Sequence, residues 1–357
     1  GGSIGSEMCR QIARFDPECI ILVEQAENNL FEIDRELRHT YPDLDIVPCV
    51  ADICDRTRLR SILARQRPSV LFHAAAHKHV PMMEINPGEA VKNNVLGTRT
   101  VADAAVEAKV AKMVMISTDK AVNPTSIMGC SKRVAELYVQ QLDGRCDTQI
   151  VTVRFGNVLG SSGSVIPIFQ QQIAAGGPVT VTHPEMTRYF MTIPEAAQLV
   201  LQAGSMGCGG EIYMLDMGEP VRIVDLAQDM ITLSGLRPGL DIEITYTGVR
   251  PGEKLYEELS IEGEDVSPTQ HPKIGIWKNR PEDWEQLCTK LTHLISLADA
   301  DDEHGDAIRT QLVHLVPEYQ PAAAGAEKVQ PQGPGIAPVS TAPPESTKPT
   351  IDPAFGV

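Results

Sequence analysis

Apolar runs of strand length alternate with helical stretches through the first 155 residues. The runs "CIILVE" (19–24), "DIVPCV" (45–50), "SVLFHAAA" (69–76), "KMVMIST" (112–118) and "TQIVTVRF" (148–155) predict five strands. Between them "NNLFEIDRELR", "RTRLRSILARQ", a long stretch around 88–108 and "SKRVAELYVQQL" read as helices. Strands that are apolar at nearly every position are buried on both faces, and regular strand–helix alternation builds a parallel sheet with helices on both sides. The pattern loosens from about residue 160 to 298, where short strands such as "EIYMLDM" (211–217) and "DIEITYT" (241–247) sit among helices and Pro/Gly turns. From about Pro321 the large apolar residues give way to Pro, Ala, Gly, Ser and Thr, which bury too little to offset the entropy of ordering. The expected organisation is a sheet domain over 1–160, a smaller mixed α/β domain over 161–298 with segments returning to the sheet, a helical segment over 299–320 and a disordered tail over 321–357.

The sequence opens on "GGSIGSE", directly before the helical run "MCRQIARF". A glycine-rich turn at a helix N-terminus offers bare amides and the positive end of the helix dipole to an anion. Gly-x-x-Gly alone is weak evidence, because glycines also shape ordinary turns. Position strengthens it: the first apolar strand ends in Glu24, where the ribose-binding carboxylate of a Rossmann-type doubly wound fold stands. Gly2, Ser3, Ile4 and Gly5 are therefore expected at a pyrophosphate, Glu24 at the ribose, and Asp52 and Ile53 of "ADI" at the adenine. A carboxylate repels a ribose phosphate, so Glu24 favours NAD over NADP, a preference tempered by Arg35 and Arg38 on the following helix. The strand that ordinarily precedes such a turn is not in the sequence. The sheet is thus expected to carry a gap beside the cofactor, and the parent protein to extend upstream.

Composition narrows the partners. Against 47 acidic residues stand 31 basic ones in no long run, for a net charge of −16, so a nucleic-acid backbone is not an expected partner. Clustered Arg or Lys could still hold a small anion. Eight cysteines are scattered without a Cys-x-x-Cys and read as reduced thiols of a cytoplasmic protein. No stretch is long and apolar enough to span a bilayer. His73, His77 and His79 lie close together, but no Cys or carboxylate set completes a metal site, and none is expected.

Acid–base chemistry concentrates in "STDKAVNPTSIMGCSK" (117–132), which follows the fourth apolar run at the edge where open α/β sheets bind ligands. Together with "GGSIGSE", "FHAAAHKHVPMME", "NNVLGTRTVADAA", "VRFGNVLGSSGSVIPIF", "TRYFMTIPEAAQLV" and "VRPGEKLYEEL", it resembles the extended short-chain dehydrogenase/reductase superfamily. Within that superfamily it is similar to the bacterial UDP-N-acetylglucosamine 4,6-dehydratases of surface polysaccharide biosynthesis, over about residues 1–280.

The resemblance implies an NAD-dependent hydro-lyase. Hydride leaves sugar C4, a base takes the C5 proton as water leaves C6, and hydride returns to C6. It assigns Asp119 as the acid toward the C6 hydroxyl and Lys120 as the base toward C5, with Thr118 beside them and Lys132 on the ribose. Lys120 would need a lowered pKa, for which Lys132 and oxidised nicotinamide are the expected cause. Ala74, Ala75 and Ala76 are expected along the cofactor and Lys78 at the sugar or its phosphates. Asn157, Arg188 and Arg250 are expected at the sugar or the UDP diphosphate, where planar Arg donors suit phosphate oxygens. By analogy the helix from Lys132 to Leu142 forms the face of a homodimer. Attachment to the inner face of a membrane would come only through an upstream region.

One position departs from the usual pattern. Four residues before Lys132, where most relatives carry the Tyr that takes the C4 hydroxyl proton, stands Met128, whose thioether cannot accept it. The sequence resembles a branch that has Met there and keeps Thr-Asp-Lys, so the reaction is expected to persist with Asp119, Thr118 or a held water taking that proton. Two alternatives stay open. A UDP-sugar epimerase on the same fold needs no acid–base pair to expel a hydroxyl. A sensor that binds NAD or a UDP-sugar without turnover is favoured by Met128 and opposed by the retained Thr118, Asp119, Lys120 and Lys132.

Overall fold

The computed structural model describes residues 1–259, 266–277, 283–299 and 305–321. The expected strands form at the apolar runs: β1 Cys19–Glu24, β2 Asp45–Val50, β3 Val70–His73, β4 Lys112–Thr118 and β5 Gln149–Phe155. Around them lie α1 Ser3–Ala13, α2 Glu27–Thr40, α3 Arg56–Gln66, α4 Val80–Ile85, α5 Pro87–Ala90, α6 Thr98–Glu107 and α7 Ile127–Asp143. Three boundaries differ from expectation. The glycine turn is only Gly1 and Gly2, since α1 already contains Ser3, Ile4 and Gly5. The long helix around 88–108 is interrupted by a π-helix at Val91–Gly97. Finally, α7 starts ahead of "SKRVAEL" and takes Met128 into its first turn, capped by Ser126, which accepts from the Gly129 amide at 3.0 Å.

β3, β4 and β5 pair in parallel, Ile212–Leu215 extends the sheet parallel to β5, and Ile274–Trp277 and Val266–Pro268 close it with antiparallel pairings. β1 and β2 pair with each other in parallel but not with the larger sheet. The edges of β1 and β3 line opposite parts of one large cavity, and the apolar side chains of Val23 and Val70 there remain 37% and 44% exposed.

Residues after β5 gather a second apolar cluster that includes Phe169, Val179, Val181, Ile223 and Ile231. It is stitched by short pairings of Val179–Val181 with Ile244–Tyr246 and of Thr187–Arg188 with Val221–Arg222. Near the C-terminus, Trp284–Asp299 packs on α5 and the π-helix, and Asp306–Leu315 packs on α7. Leu287, Leu291 and Leu312 share one core with Val134, Leu137 and Tyr138 of α7. This corrects one expectation: the helix expected to face a second subunit is covered by the chain's own C-terminal helices. The expected tail lies outside the described residues from 322 onward. Among the described residues no helix is long and apolar enough to cross a membrane.

Beneath the site, α7 is tied to the sheet through a buried ion cluster. Glu136 accepts from Arg154 at 2.8 and 2.5 Å, from Arg133 at 3.3 Å and from Ser117 at 2.6 Å. Both guanidinium groups stack on the Trp277 ring. Two cations and a hydroxyl around one carboxylate satisfy charges that would otherwise be costly to bury.

Candidate active site

A cavity of about 1700 Å³ runs from the glycine turn along the carboxyl ends of β3, β4 and β5 to the segment around residues 250–257. At its first end Gly1 lies against α2, where a Cβ would come within 2.5 Å of the Asn29 Cβ, so the backbone can pass this closely only as glycine. A Cβ on Gly2 or Gly5 would meet nothing within 4 Å, and both residues line the cavity. Gly2 caps α1 without a side-chain partner, which leaves first-turn amides open to an anion. Glu24 Oε2 lies 3.0 Å from the Gly1 nitrogen, and Oε1 accepts from the Ala26 amide at 2.9 Å. Ile53, Ala74, Ala75 and Ala76 also line the wall. Asp52 is not on that wall: its carboxylate turns back to accept from the Cys54 amide at 2.8 Å, closing a local turn.

Lys132 projects from α7 into the same end and donates to the Ile116 carbonyl at 2.9 Å. Burial pushes its ammonium down to about 8. Beside it, burial first and the Lys132 charge second push His73 down to about 3, so the ring is neutral, with Nε2 2.9 Å from Thr98 Oγ1.

At the next section of the wall, β4 ends on Thr118 and the chain makes a 3-10 turn over Asp119–Ala121. Thr118 Oγ1 donates to Asp119 Oδ1 at 2.8 Å. Lys120 Nζ donates to the same oxygen at 3.0 Å and to Asn157 Oδ1 at 3.0 Å, and it lies 3.6 Å from Glu257 Oε1. Gly129 makes the packing possible, because any Cβ there would overlap the Lys120 carbonyl oxygen. Thr118, Lys120, Met128 and Lys132 all line the cavity. Asp119 stands behind the wall, 2% exposed, and its Oδ2 is buried without a partner where a Cβ on Gly156 would lie 3.0 Å away. It therefore reaches the cavity through Lys120 and Thr118 rather than directly.

The Lys120 pKa also differs from expectation. Burial acts to lower it, yet Asp119 and Glu257 outweigh burial and the repulsion of Arg188, and the ammonium is held above its ordinary value. In this geometry Lys120 carries its proton.

Toward the far end, Lys78 Nζ donates to the Ser162 carbonyl at 2.8 Å. Arg188 lines the cavity, but its guanidinium donates to the carbonyls of Thr187 at 2.6 Å and Lys254 at 2.8 Å, with Nε 3.6 Å from Glu257. It holds the 254–257 backbone where a phosphate contact was expected. Arg250 stands more exposed at the rim, paired with Glu253 at 2.6 Å. Two important residues were missed in the sequence. Glu257 looks like its neighbour Glu258, and only the fold turns one inward and leaves the other half exposed. Asn94, fully buried in the π-helix, accepts from the His77 amide at 2.8 Å and donates to the His77 carbonyl and Ser131 Oγ, both at 3.0 Å.

Residues 1–279 match the family described as polysaccharide biosynthesis protein. The chain belongs to that family. It is 57% identical over 272 residues to the capsular polysaccharide biosynthesis protein CapD of Staphylococcus aureus, covering 76% of this chain and 45% of that one. It is 51% identical over 302 residues to the probable polysaccharide biosynthesis protein EpsC of Bacillus subtilis, covering 84% and 50%. The chain thus spans about half the length of these curated relatives. Among solved structures, Pen from Bacillus thuringiensis superposes with a TM-score of 0.71 at 34% identity, covering 77% of this chain and 85% of that one. The dTDP-glucose 4,6-dehydratase DesIV of Streptomyces venezuelae, solved with NAD bound, superposes at 0.63 with 21% identity over 72% and 85%, a likeness of fold.

Proposed function

We propose that this chain is the catalytic part of an NAD-dependent nucleotide-sugar 4,6-dehydratase that converts UDP-N-acetylglucosamine to its 4-keto-6-deoxy form in bacterial surface-glycan synthesis. The observation that carries the reading is the Thr118–Asp119–Lys120 turn: an amine on the cavity wall, hydrogen-bonded to a buried carboxylate, at the carboxyl end of a parallel strand. The residues at the glycine end suit a dinucleotide: open amides at Gly2 and α1, room at Gly2 and Gly5, Glu24 for a ribose hydroxyl and Lys132 for the ribose near the chemistry. When bound, NAD would accept hydride from C4 and return it to C6.

The chain's own residues have the proton work. Lys120, once its proton is released, takes the proton from C5 and gives it back to C5 when hydride returns to C6, while Asp119 holds the amine in place and shares protons with it and with Thr118. Met128 takes no proton, so the C4 hydroxyl proton passes to Thr118 and Asp119 or through water. The proton lost from the C4 hydroxyl balances the one that leaves with the C6 hydroxyl as water. Arg250 and Lys78, both on the cavity wall, are the cations we assign to a diphosphate.

An NMR time course of the intact protein with UDP-N-acetylglucosamine and NAD⁺ tests the reading. A new methyl doublet with a 4-keto product is expected, and Lys120→Ala should abolish it while binding persists. An epimerised sugar without a methyl would replace the proposal with an epimerase. A bound but unchanged sugar would mean a sensor.

A further inference from the structure

We propose that Glu257 is a positioning residue for Lys120: reaching in from the segment that carries Arg250, it shares with Asp119 the holding of the Lys120 ammonium and delays its release as a free amine. The consequence for turnover rests on the reading of Lys120 as the base, but the geometry does not.

Glu257 lies on the cavity wall with its side chain 3% exposed. Its Oε1 is 3.6 Å from both Lys120 Nζ and Arg188 Nε, and its Oε2 is buried without a hydrogen-bond partner. A carboxylate left partly unsatisfied in a buried place costs stability, and the two neighbouring cations are what its charge serves. The loop that presents it is fixed by Arg188, which donates to the carbonyls of Lys254 and Leu255, three and two residues before Glu257. Lys120 is therefore gripped from three elements: Asp119 in its own turn, Asn157 after β5, and Glu257 from the far segment. Of these Asn157 is neutral. The charged groups facing Lys120 are Asp119, Glu257 and Arg188, and those facing Glu257 are Lys120 and Arg188.

The sign follows from this balance. Burial and Arg188 favour the free amine, while the two carboxylates favour the ammonium and prevail. Without the Glu257 charge, Asp119 alone opposes burial and Arg188, and the amine is freed at lower pH.

Competitive acetylation of the intact protein, from about pH 6 to about pH 11, with mass spectrometry of the peptide containing Lys120, follows the free amine without requiring turnover. In Glu257→Gln the midpoint of Lys120 reactivity should fall by about one pH unit. If wild-type protein turns over the nucleotide sugar, the rising limb of kcat/KM against pH should move down by the same amount. An unchanged midpoint in a Gln variant that melts cooperatively overturns the proposal. Glu257→Asp keeps the charge but withdraws it by one methylene, and its midpoint should fall between the two. Should the Gln protein not fold, an Asp midpoint equal to wild type overturns the proposal instead. A shifted midpoint in a protein that turns over no sugar would uphold the Glu257 assignment and sink the dehydratase reading.

Discussion

His73 shows how one side chain couples the site to stability. It sits at the end of β3 with its ring buried and neutral, its pKa pushed down to about 3 by burial and by Lys132. In the unfolded chain a histidine takes up a proton near its ordinary value of about 6.5. As pH falls below that value the unfolded state binds the proton and the folded state does not, so stability is lost, by about 1.4 kcal/mol per pH unit, until the pH approaches the folded value. Above about pH 6.5 the residue contributes no slope. Urea midpoints at about pH 7.5 and pH 5 should therefore differ more in wild type than in His73→Gln, by about 2 kcal/mol. An equal pH dependence in the two proteins would refute the assignment. The triple His spacing was visible in the sequence, but this role was not, because burial depends on what packs over the ring.

Among the elements, the π-helix at Val91–Gly97 is the clearest departure from the sequence pattern. Apolar periodicity reads 88–108 as one helix because it reports which face is buried and is blind to a local change in winding. What the altered winding accompanies is polar: Asn93 and Asn94 both accept from the His77 amide, and Asn94 also ties His77 to Ser131 on α7. The loop of Ala74, Ala75 and Ala76 is thereby fastened next to α7. Asn94→Ala removes three hydrogen bonds at a fully buried position and should cost about 3 kcal/mol. It should also weaken cofactor binding measured by titration calorimetry. A loss below about 0.5 kcal/mol would show that the loop stands without this link.

Across the whole molecule, the C-terminal helices complete the core under the site. Leu287, Leu291, Leu294 and Leu312 are fully buried against residues of α7 and its neighbours, and Arg309 donates to Glu84, whose carboxylate also accepts from the Ile127 amide at the start of α7. Deleting residues from 283 onward would uncover the apolar side of the helix that carries Met128 and Lys132. The expected result is loss of a cooperative thermal transition and gain of binding to a hydrophobic dye. A truncated protein that melts like the intact one would show that α7 folds without this cover.

The order of strands and helices, the closeness of Glu24 to the glycine turn and the Thr-Asp-Lys turn at the end of β4 were all legible in the sequence. Apolar periodicity, glycine and local acid–base order act over a few residues, and the chain records them directly. Other features came only with tertiary structure. Asp119 lies behind the wall, Asp52 caps a turn, Arg188 braces a loop, α7 is covered in cis, and Glu257 reaches Lys120 across 137 positions of sequence. These depend on which side chains burial brings together and on how charges balance once water is excluded, and neither is encoded in the spacing of any single stretch.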